Sequence, residues 1–333
     1  MKKLINDPYA VVDEMIEGFC GAHSALVRRL DDTRGIVSRD APLAGKVGLL
    51  IGGGSGHEPA FLGYVGRGCA DGVAVGNVFA SPPPGPILAV TRAINSGKGV
   101  LYAYGNYTGD VLNFDLAAEM AASEGIEVRT VRVSDDVASA PTGEEDNRRG
   151  IAGGFFVFKT AGARAAEGGT LDEVEAVARK ANERCRSMGV ALTASIVPAV
   201  GKATFELAHD EMEIGLGVHG EPGIRRGALE TADMVATSLL DHICADMPLS
   251  AGSEVAVLVN SLGATPLMEL YILYRRVAQL LAGRHVTVHR SYVGEYVTSL
   301  EMAGASISVF ALDAELKSIV VPFVKTAKRG VLR

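Results

Sequence analysis

The chain has 333 residues, 48% of them hydrophobic and 21% charged, and carries a formal net charge of −7. That apolar content supports a large buried core, and because single cores rarely grow beyond about 250 residues, two domains are expected. The acidic balance and the lack of a basic run argue against nucleic acid as a partner, and no apolar run approaches the roughly 20 residues that span a bilayer.

The first eight residues hold Lys2 and Lys3 but no following apolar block, so they do not read as a signal peptide. Asp7-Pro8 offers a helix start, and Val12, Met15, Ile16, Phe19, Leu26, Val27 and Leu30 follow as an apolar stripe at helical spacing. Lys46–Ile51 is the first clear strand, and Gly52-Gly53-Gly54-Ser55-Gly56-His57-Glu58-Pro59 follows as a tight loop. Ala70–Phe79 reads as a strand and Ser81–Pro86 as a stiff turn. A helix is expected over Pro86–Asn95, a strand over Gly99–Tyr104, a helix over Val111–Ser123 and a strand over Glu127–Val133.

Thr142–Gly150, with Glu144, Glu145, Asp146, Arg148 and Arg149, reads as a solvated loop. Thr170-Leu171-Asp172-Glu173 matches a capping box. The stripe Leu171, Val174, Ala178, Ala181, Cys185 and Met188 then carries a helix to a stop at Gly189. A domain boundary is expected just beyond, dividing the chain into 1–190 and 191–333. In the second part, strands are expected at Ala194–Val200, Met212–Val218, Glu254–Val259, Val286–His289 and Ser306–Ala311, with helices at Thr231–Cys244 and Pro266–Leu281. The alternation implies an α/β protein with mainly parallel sheets, the last stretch open to antiparallel pairing.

Three glycine-rich loops lie where an α/β sheet collects ligands, at strand carboxyl ends, and they are expected to meet. They are 52–59, Asn106-Tyr107-Thr108-Gly109-Asp110, and Gly217-Val218-His219-Gly220-Glu221-Pro222-Gly223. The first fails every nucleotide test: no lysine follows for a phosphate loop, and His57 stands where a dinucleotide fingerprint needs its third glycine. His57 also occupies the last glycine position of a nucleophile elbow, so Ser55 reads as a hydrogen-bonding loop residue. Taken singly, His57 could merely stabilise its loop and Asp110 could merely cap the helix starting at Val111. His219 carries more weight because its loop repeats the chemistry: glycines, an imidazole, then Glu-Pro. The remaining histidines (His23, His209, His242, His285 and His289) are assigned structural roles. The histidine spacings make no zinc-protease pattern and no metal cluster is visible. Cys20, Cys69, Cys185 and Cys244 form no CxxC pair and read as reduced thiols of a cytoplasmic protein.

The blocks GGGSGHEP at 52–59, GYVGRG at 63–68, VFASP at 78–82, NYTGDVLNF at 106–114, GVHGEPGI at 217–224 and YVGEYVTSLEMAGASIS at 292–308 together resemble the dihydroxyacetone kinase family. The similarity is to its substrate-binding K subunit and runs over about 7–331. It implies two α/β domains, a homodimer and no cofactor on this chain, with ATP-Mg or ADP-Mg carried by a separate helical L subunit. It implies that His219 adds to the ketone of a short ketose as a covalent hemiaminal. It also implies that Asp110 and His57 are the acid/base pair beside the phosphorylated hydroxyl, and that Gly54, Ser55 and Gly56 line the substrate.

One departure stands out. Many members of the family have a substrate-bonding lysine immediately before NYTGD, where this chain has Gly105, preceded by Tyr104. The expected substrate is dihydroxyacetone or the four-carbon ketose erythrulose, with Tyr104 or water replacing the lost contact. The non-enzymatic alternative is a ketose-sensing transcriptional co-activator, which would need the covalent histidine but not the base.

Overall fold

The computed structural model describes residues 2–320 and 325–326. The ends of the expected second domain and of the K-type match therefore fall partly outside the described residues. In chain order the elements are α1 (Val11–Ala22), β1 (Val27–Arg29), β2 (Gly35–Ser38), β3 (Gly48–Ser55), β4 (Gly66–Arg67), β5 (Gly72–Val78), α2 (Pro84–Ile94), β6 (Val100–Gly105), α3 (Thr108–Ser123) and β7 (Val128–Val133). There follow α4 (Gly154–Ala166), α5 (Leu171–Glu183), β8 (Cys185–Ala191), β9 (Glu211–Ile214), β10 (Arg225–Ala228), α6 (Ala232–Asp246), β11 (Glu254–Ser261), α7 (Leu267–Gly283), β12 (Thr287–Glu295), β13 (Gly304–Leu312), α8 (Ala314–Val320) and β14 (Lys325–Thr326).

Two compact units emerge. One comprises Met1–Val133, Val157–Lys180 and Ser318–Arg333, the other Ser134–Phe156 and Ala181–Lys317. The chain thus passes between them four times, whereas the sequence suggested one cut near 190, a position inside β8.

The first unit holds a sheet in the order β1-β2-β5-β3-β6-β7. Its β5-β3-β6-β7 portion is parallel, as expected from strands alternating with helices, and β1 and β2 add antiparallel edges. β3 lies between β5 and β6, so seven of its eight residues are buried and its sequence is apolar or glycine up to the closing Ser55. Tyr102 and Tyr104 of β6 pack in one core with Ile87 and Val90 of α2 and with Phe114 and Ala117 of α3.

The second unit holds a sheet in the order β10-β9-β8-β13-β11-β12. Alternate residues Val255, Val257 and Val259 of β11 and Ile307 and Val309 of β13 share a core with Leu239 and Leu240 of α6 and Leu273 and Val277 of α7. In the same unit Phe156 stacks on Phe310 with ring centroids 4.9 Å apart.

The α/β class stands, but "mainly parallel" needs correction for this sheet. Only β11–β12 is parallel there, and the other four pairings are antiparallel. The reason is connectivity. β11 and β12 are joined through α7, whereas the neighbours β8–β9 and β9–β10 are joined without an α-helix, which antiparallel neighbours allow and parallel ones do not.

Other expectations shift for identifiable reasons. The capping box forms as read: Thr170 N donates to Glu173 Oε2 at 2.9 Å, and Glu173 N donates to Thr170 Oγ1 at 3.3 Å. The helix stops at Glu183, however, and Cys185 and Met188 belong to β8, whose burial on both faces makes strand and helix look alike. No strand forms over Ala194–Val200. Helix α4 escaped notice because it is buried almost throughout, leaving no polar face to reveal a period. Helix α2 begins at Pro84, two residues inside the expected turn, since proline suits a first helical turn.

The segment 142–150 is more than surface. Arg148 is fully buried and donates from Nη1 and Nη2 to Asp246 at 2.8 and 2.6 Å, and Arg186 Nε reaches the same carboxylate at 2.5 Å. The hydrogen bond from Arg148 holds the Asp246 carboxyl well below its ordinary range.

Candidate functional site

His57 and Asp110 both belong to the first unit. His57 lies two residues past the carboxyl end of β3, and Asp110 lies in the first turn of α3, which follows the adjacent parallel strand β6. Sheet order therefore brings the two expected residues to one edge, the carboxyl edge, where open α/β sheets hold ligands.

His57 is buried, 3% exposed, and its ring stacks on Phe79, centroids 5.1 Å apart and planes 25° apart. Phe79 lies just past the end of β5, on the other side of β3, and adopts a positive φ of 55°. Asp110 is buried and is not the helix cap. Tyr107 holds that position, so Asp110 is the third helical residue, and a negative charge there is favoured by the unpaired amides of a helix start.

The glycines keep backbones close. A β-carbon on Gly54 would sit 2.6 Å from the Ala80 amide nitrogen, so only glycine lets β3 approach the loop after β5. Ser55 Oγ donates to the Gly76 carbonyl at 2.8 Å, in keeping with a loop-binding hydroxyl and not a nucleophile. Gly52–Ser55 are strand, not loop; the turn begins at Gly56, whose amide donates to both Glu58 oxygens at 3.1 and 3.0 Å. Burial pushes the Glu58 carboxyl up, and the backbone donors pull against it.

Gly105 ends β6 and is half-buried. Tyr104 does not replace the absent lysine. Its ring is fully buried, stacked on Phe114 at 4.2 Å, in the core with Tyr102, and burial pushes its hydroxyl up to about 12. Successive strand side chains point to opposite faces, so Tyr104 is committed to the α3 side.

His219 belongs to the second unit, on the loop that joins the antiparallel pair β9 and β10. Its Nδ1 lies 2.9 Å from Glu221 Oε1, and its amide donates to Glu221 Oε2 at 2.9 Å. A β-carbon on Gly217 would collide with that carboxylate, so glycine at 217 is a condition for Glu221 to fold back. Ser299 Oγ donates to the Val218 carbonyl at 2.5 Å and Arg149 Nη2 to the Gly215 carbonyl at 3.2 Å, tying the loop to its own unit.

Burial alone would raise the Glu221 carboxyl, but the hydrogen bond and charge of His219 and the backbone amides outweigh it and hold it at about 2. An ionised carboxylate can only accept, so in the neutral imidazole the proton facing it sits on Nδ1 and the lone pair is left on Nε2. Such a ring is a directed nucleophile or base. Glu221 was not singled out from the sequence, although its place two residues after His219 in a glycine loop was the available clue. Phe79 gave no clue at all, because its relation to His57 exists only across β3 and β5.

No group of three or more His, Cys, Asp or Glu residues able to hold a metal occurs among the described residues. The site residues thus divide into two sets: His57, Asp110, Gly54, Ser55, Gly56 and Gly105 in the first unit, His219 and Glu221 in the second.

Against known families, residues 17–328 match the Dak1 domain. The dihydroxyacetone-binding DhaK subunit of a phosphotransferase-dependent dihydroxyacetone kinase 2 from Listeria innocua is 49% identical, covering 96% of each chain. The chain belongs to the dihydroxyacetone kinase family, as a DhaK-type subunit. A D-erythrulose kinase from Mycolicibacterium smegmatis is 45% identical over 95% of this chain and 54% of its own length. Among solved structures, a dihydroxyacetone kinase operon co-activator shares the fold with a TM-score of 0.88 at 33% identity, covering 93% of this chain and 96% of its own.

Proposed function

We propose that this DhaK-type chain is the ketose-binding subunit of a dihydroxyacetone-type kinase and that His219 holds the substrate covalently. The observation that carries this reading is the 2.9 Å contact between His219 Nδ1 and Glu221 Oε1, which in the neutral imidazole leaves the lone pair on Nε2. A ketone carbon is electrophilic and a neutral imidazole is nucleophilic. Nε2 forms a bond to the carbonyl carbon while the carbonyl π pair moves to oxygen. That oxygen gains a proton as the Nδ1 proton, shared with Glu221, is given up, so charge is conserved in the hemiaminal. Polyols without a carbonyl cannot make this bond.

Asp110 and His57 act on the terminal hydroxyl. Asp110 accepts its proton as the oxygen attacks the transferred phosphoryl group, and His57, held by Phe79, is the second member of the acid/base pair. A general base of this kind must lie within about 3 Å of the proton it takes. Gly54, Ser55 and Gly56 keep the approach to the hydroxyl narrow. The nucleotide and magnesium are expected on a separate L-type subunit, where the metal would neutralise charge on the transferred phosphoryl. A homodimer in the cytoplasm completes the proposal, and the four free cysteines suit that compartment.

A four-carbon substrate is a second reading, favoured by Gly105. Glycine there lacks both a charged donor and the volume of a lysine stem. The co-activator reading is weaker, because a sensor has no use for Asp110 at the hydroxyl.

The decisive experiment is intact-mass measurement after incubation with dihydroxyacetone and reductive or chemical trapping. The wild type should gain the mass of one ketose and His219→Ala should not. An unmodified wild type at saturating ketose would overturn the covalent role.

A further inference from the structure

Arg149 lies between β7 and α4, in a charged stretch that reads as solvated loop, yet its guanidinium is set against the His219 loop of the same unit. Asp136, 1% exposed, clamps it: Arg149 Nε donates to Asp136 Oδ2 at 3.0 Å, and Nη2 lies 2.8 Å from the same oxygen. Asp136 is held in turn, its Oδ1 accepting from the Ala138 amide at 3.1 Å and its own amide donating to the Arg149 carbonyl at 3.1 Å. Arg149 Nη2 also donates to the Gly215 carbonyl at 3.2 Å, where β9 gives way to the loop. With Nε and Nη2 so committed, Nη1 is turned to residue 217. A β-carbon on Gly217 would stand 2.6 Å from Arg149 Nη1 and 2.2 Å from Glu221 Oε2. The missing side chain leaves one space in which a fixed cation faces the carboxylate that orients His219.

Glu221 acts on the ring in two opposed ways. Its hydrogen bond keeps a proton on Nδ1, but a carboxylate beside an imidazole also favours the imidazolium, which has no lone pair to offer a ketone. A cation facing the carboxylate opposes the second effect and leaves the hydrogen bond in place. We propose that Arg149 is a positioning residue for His219: clamped by Asp136, it anchors the loop at Gly215 and faces Glu221, so that the carboxylate orients the imidazole without holding it as an imidazolium. This rests on the covalent role of His219 proposed above. Other elements packed on the loop bring Thr204 and Phe205 against Gly220 and Ser299 against the Val218 carbonyl, none of them charged. Glu213 of β9 accepts from the Gly223 amide at 2.6 Å, at the far end of the loop. Burial pushes the Asp136 carboxyl up to about 7 against the pull of the Arg149 charge. Without the guanidinium it would take a proton, so removing Arg149 does not strand a buried anion.

The test follows the rate of trapped-adduct formation with dihydroxyacetone, read by intact mass from about pH 5 to about pH 9. It compares the full wild-type chain with Arg149→Gln, Arg149→Lys and Glu221→Gln. Protonation removes the Nε2 lone pair, so the rate falls on the acid side. Arg149→Gln leaves Glu221 unopposed, and its acid limb should move to higher pH by about half to one pH unit, an about three- to tenfold slower reaction on that limb. That is less than the roughly 1–3 of a charge in direct contact, because Arg149 acts through Glu221. The rate at high pH should stay within about threefold, and Arg149→Lys should restore the wild-type limb. In a Glu221→Gln background, Arg149→Gln should no longer move it. A uniform loss of rate with an unmoved limb would reduce Arg149 to a brace of the fold and overturn the proposal, as would a limb that moves equally without Glu221. Should Arg149→Gln not fold, nitrogen-15 NMR of wild-type His219, assigned by its loss in His219→Ala, decides. A neutral ring protonated on Nδ1 at pH 7.5 is expected, and an imidazolium there would overturn the proposal. A wild type that forms no adduct at any pH would overturn the functional reading itself, and this inference with it.

Discussion

The loops around His57 and His219 use the same residue types to opposite ends. In the first, glutamate directly follows histidine; in the second, Gly220 separates them. Adjacent side chains diverge, so Glu58 turns back to the Gly56 amide and the His57 ring is oriented by stacking on Phe79. With one residue between, Glu221 reaches both the amide and the ring nitrogen of His219. A single inserted glycine thus converts a glutamate that braces a turn into one that fixes an imidazole tautomer. Stacking sets where a ring lies; a carboxylate also sets where its proton lies. In the proposed function the first loop serves proton exchange and the second presents a nucleophile.

The largest effect should come from separating the two tasks. Asp110→Asn should keep the trapped adduct yet lose about 10²–10⁴ in turnover with the L-type subunit, the usual cost of removing a general base. Near-normal turnover would reduce Asp110 to a helix-start residue. Next, Glu221→Gln should slow adduct formation by about 10–100-fold, by analogy with the loss of a partner that orients a metal-bound histidine. Glu58→Gln should leave adduct formation unchanged, because its carboxylate serves the backbone. Stopped-flow or quenched mass spectrometry reads both variants, and equal effects would erase the distinction between the loops.

Gly105→Lys tests whether this position sets the length of the substrate. A hydrogen bond to a charged donor contributes roughly 1.5–3 kcal/mol. The lysine variant should therefore shift the kcat/KM ratio toward dihydroxyacetone over both erythrulose enantiomers by about tenfold or more. A wild type that strongly prefers the triose, with the ratio unmoved in the variant, would exclude Gly105 as the determinant of substrate length.

The smallest effect is in stability. The Glu221 carboxyl is held at about 2 in the folded chain, below the ordinary glutamate value, by His219 and the loop amides against the opposing pull of burial. A depressed acid contributes stability that is complete above its unfolded value of about 4.3 and is lost as pH falls towards the folded one. The melting-temperature gap between wild type and Glu221→Gln should therefore be widest near pH 6 and narrower at pH 3.5. A gap that widens on acidification would contradict the assigned ionisation.

Much was legible in the sequence because it is local. Glycine runs closing apolar strands, the Thr170–Glu173 box and the apolar period of α6 and α7 each depend on residues a few positions apart. The six motif blocks, taken in order, marked the family and with it the candidate histidines. What the sequence could not display are relations between residues far apart in the chain. Phe79 meets His57 only because β5 pairs with β3, and Arg148 leaves solvent only because Asp246 lies at the end of α6. Tyr104 looked available beside Gly105 until the pleat of β6 turned its ring into the core. The helix pattern through Cys185 and Met188 was ambiguous because residues buried on every side carry no period, and only pairing with β13 made that stretch a strand. Local chemistry determined which groups the protein has to work with. Sheet order and burial decided which of them pack together.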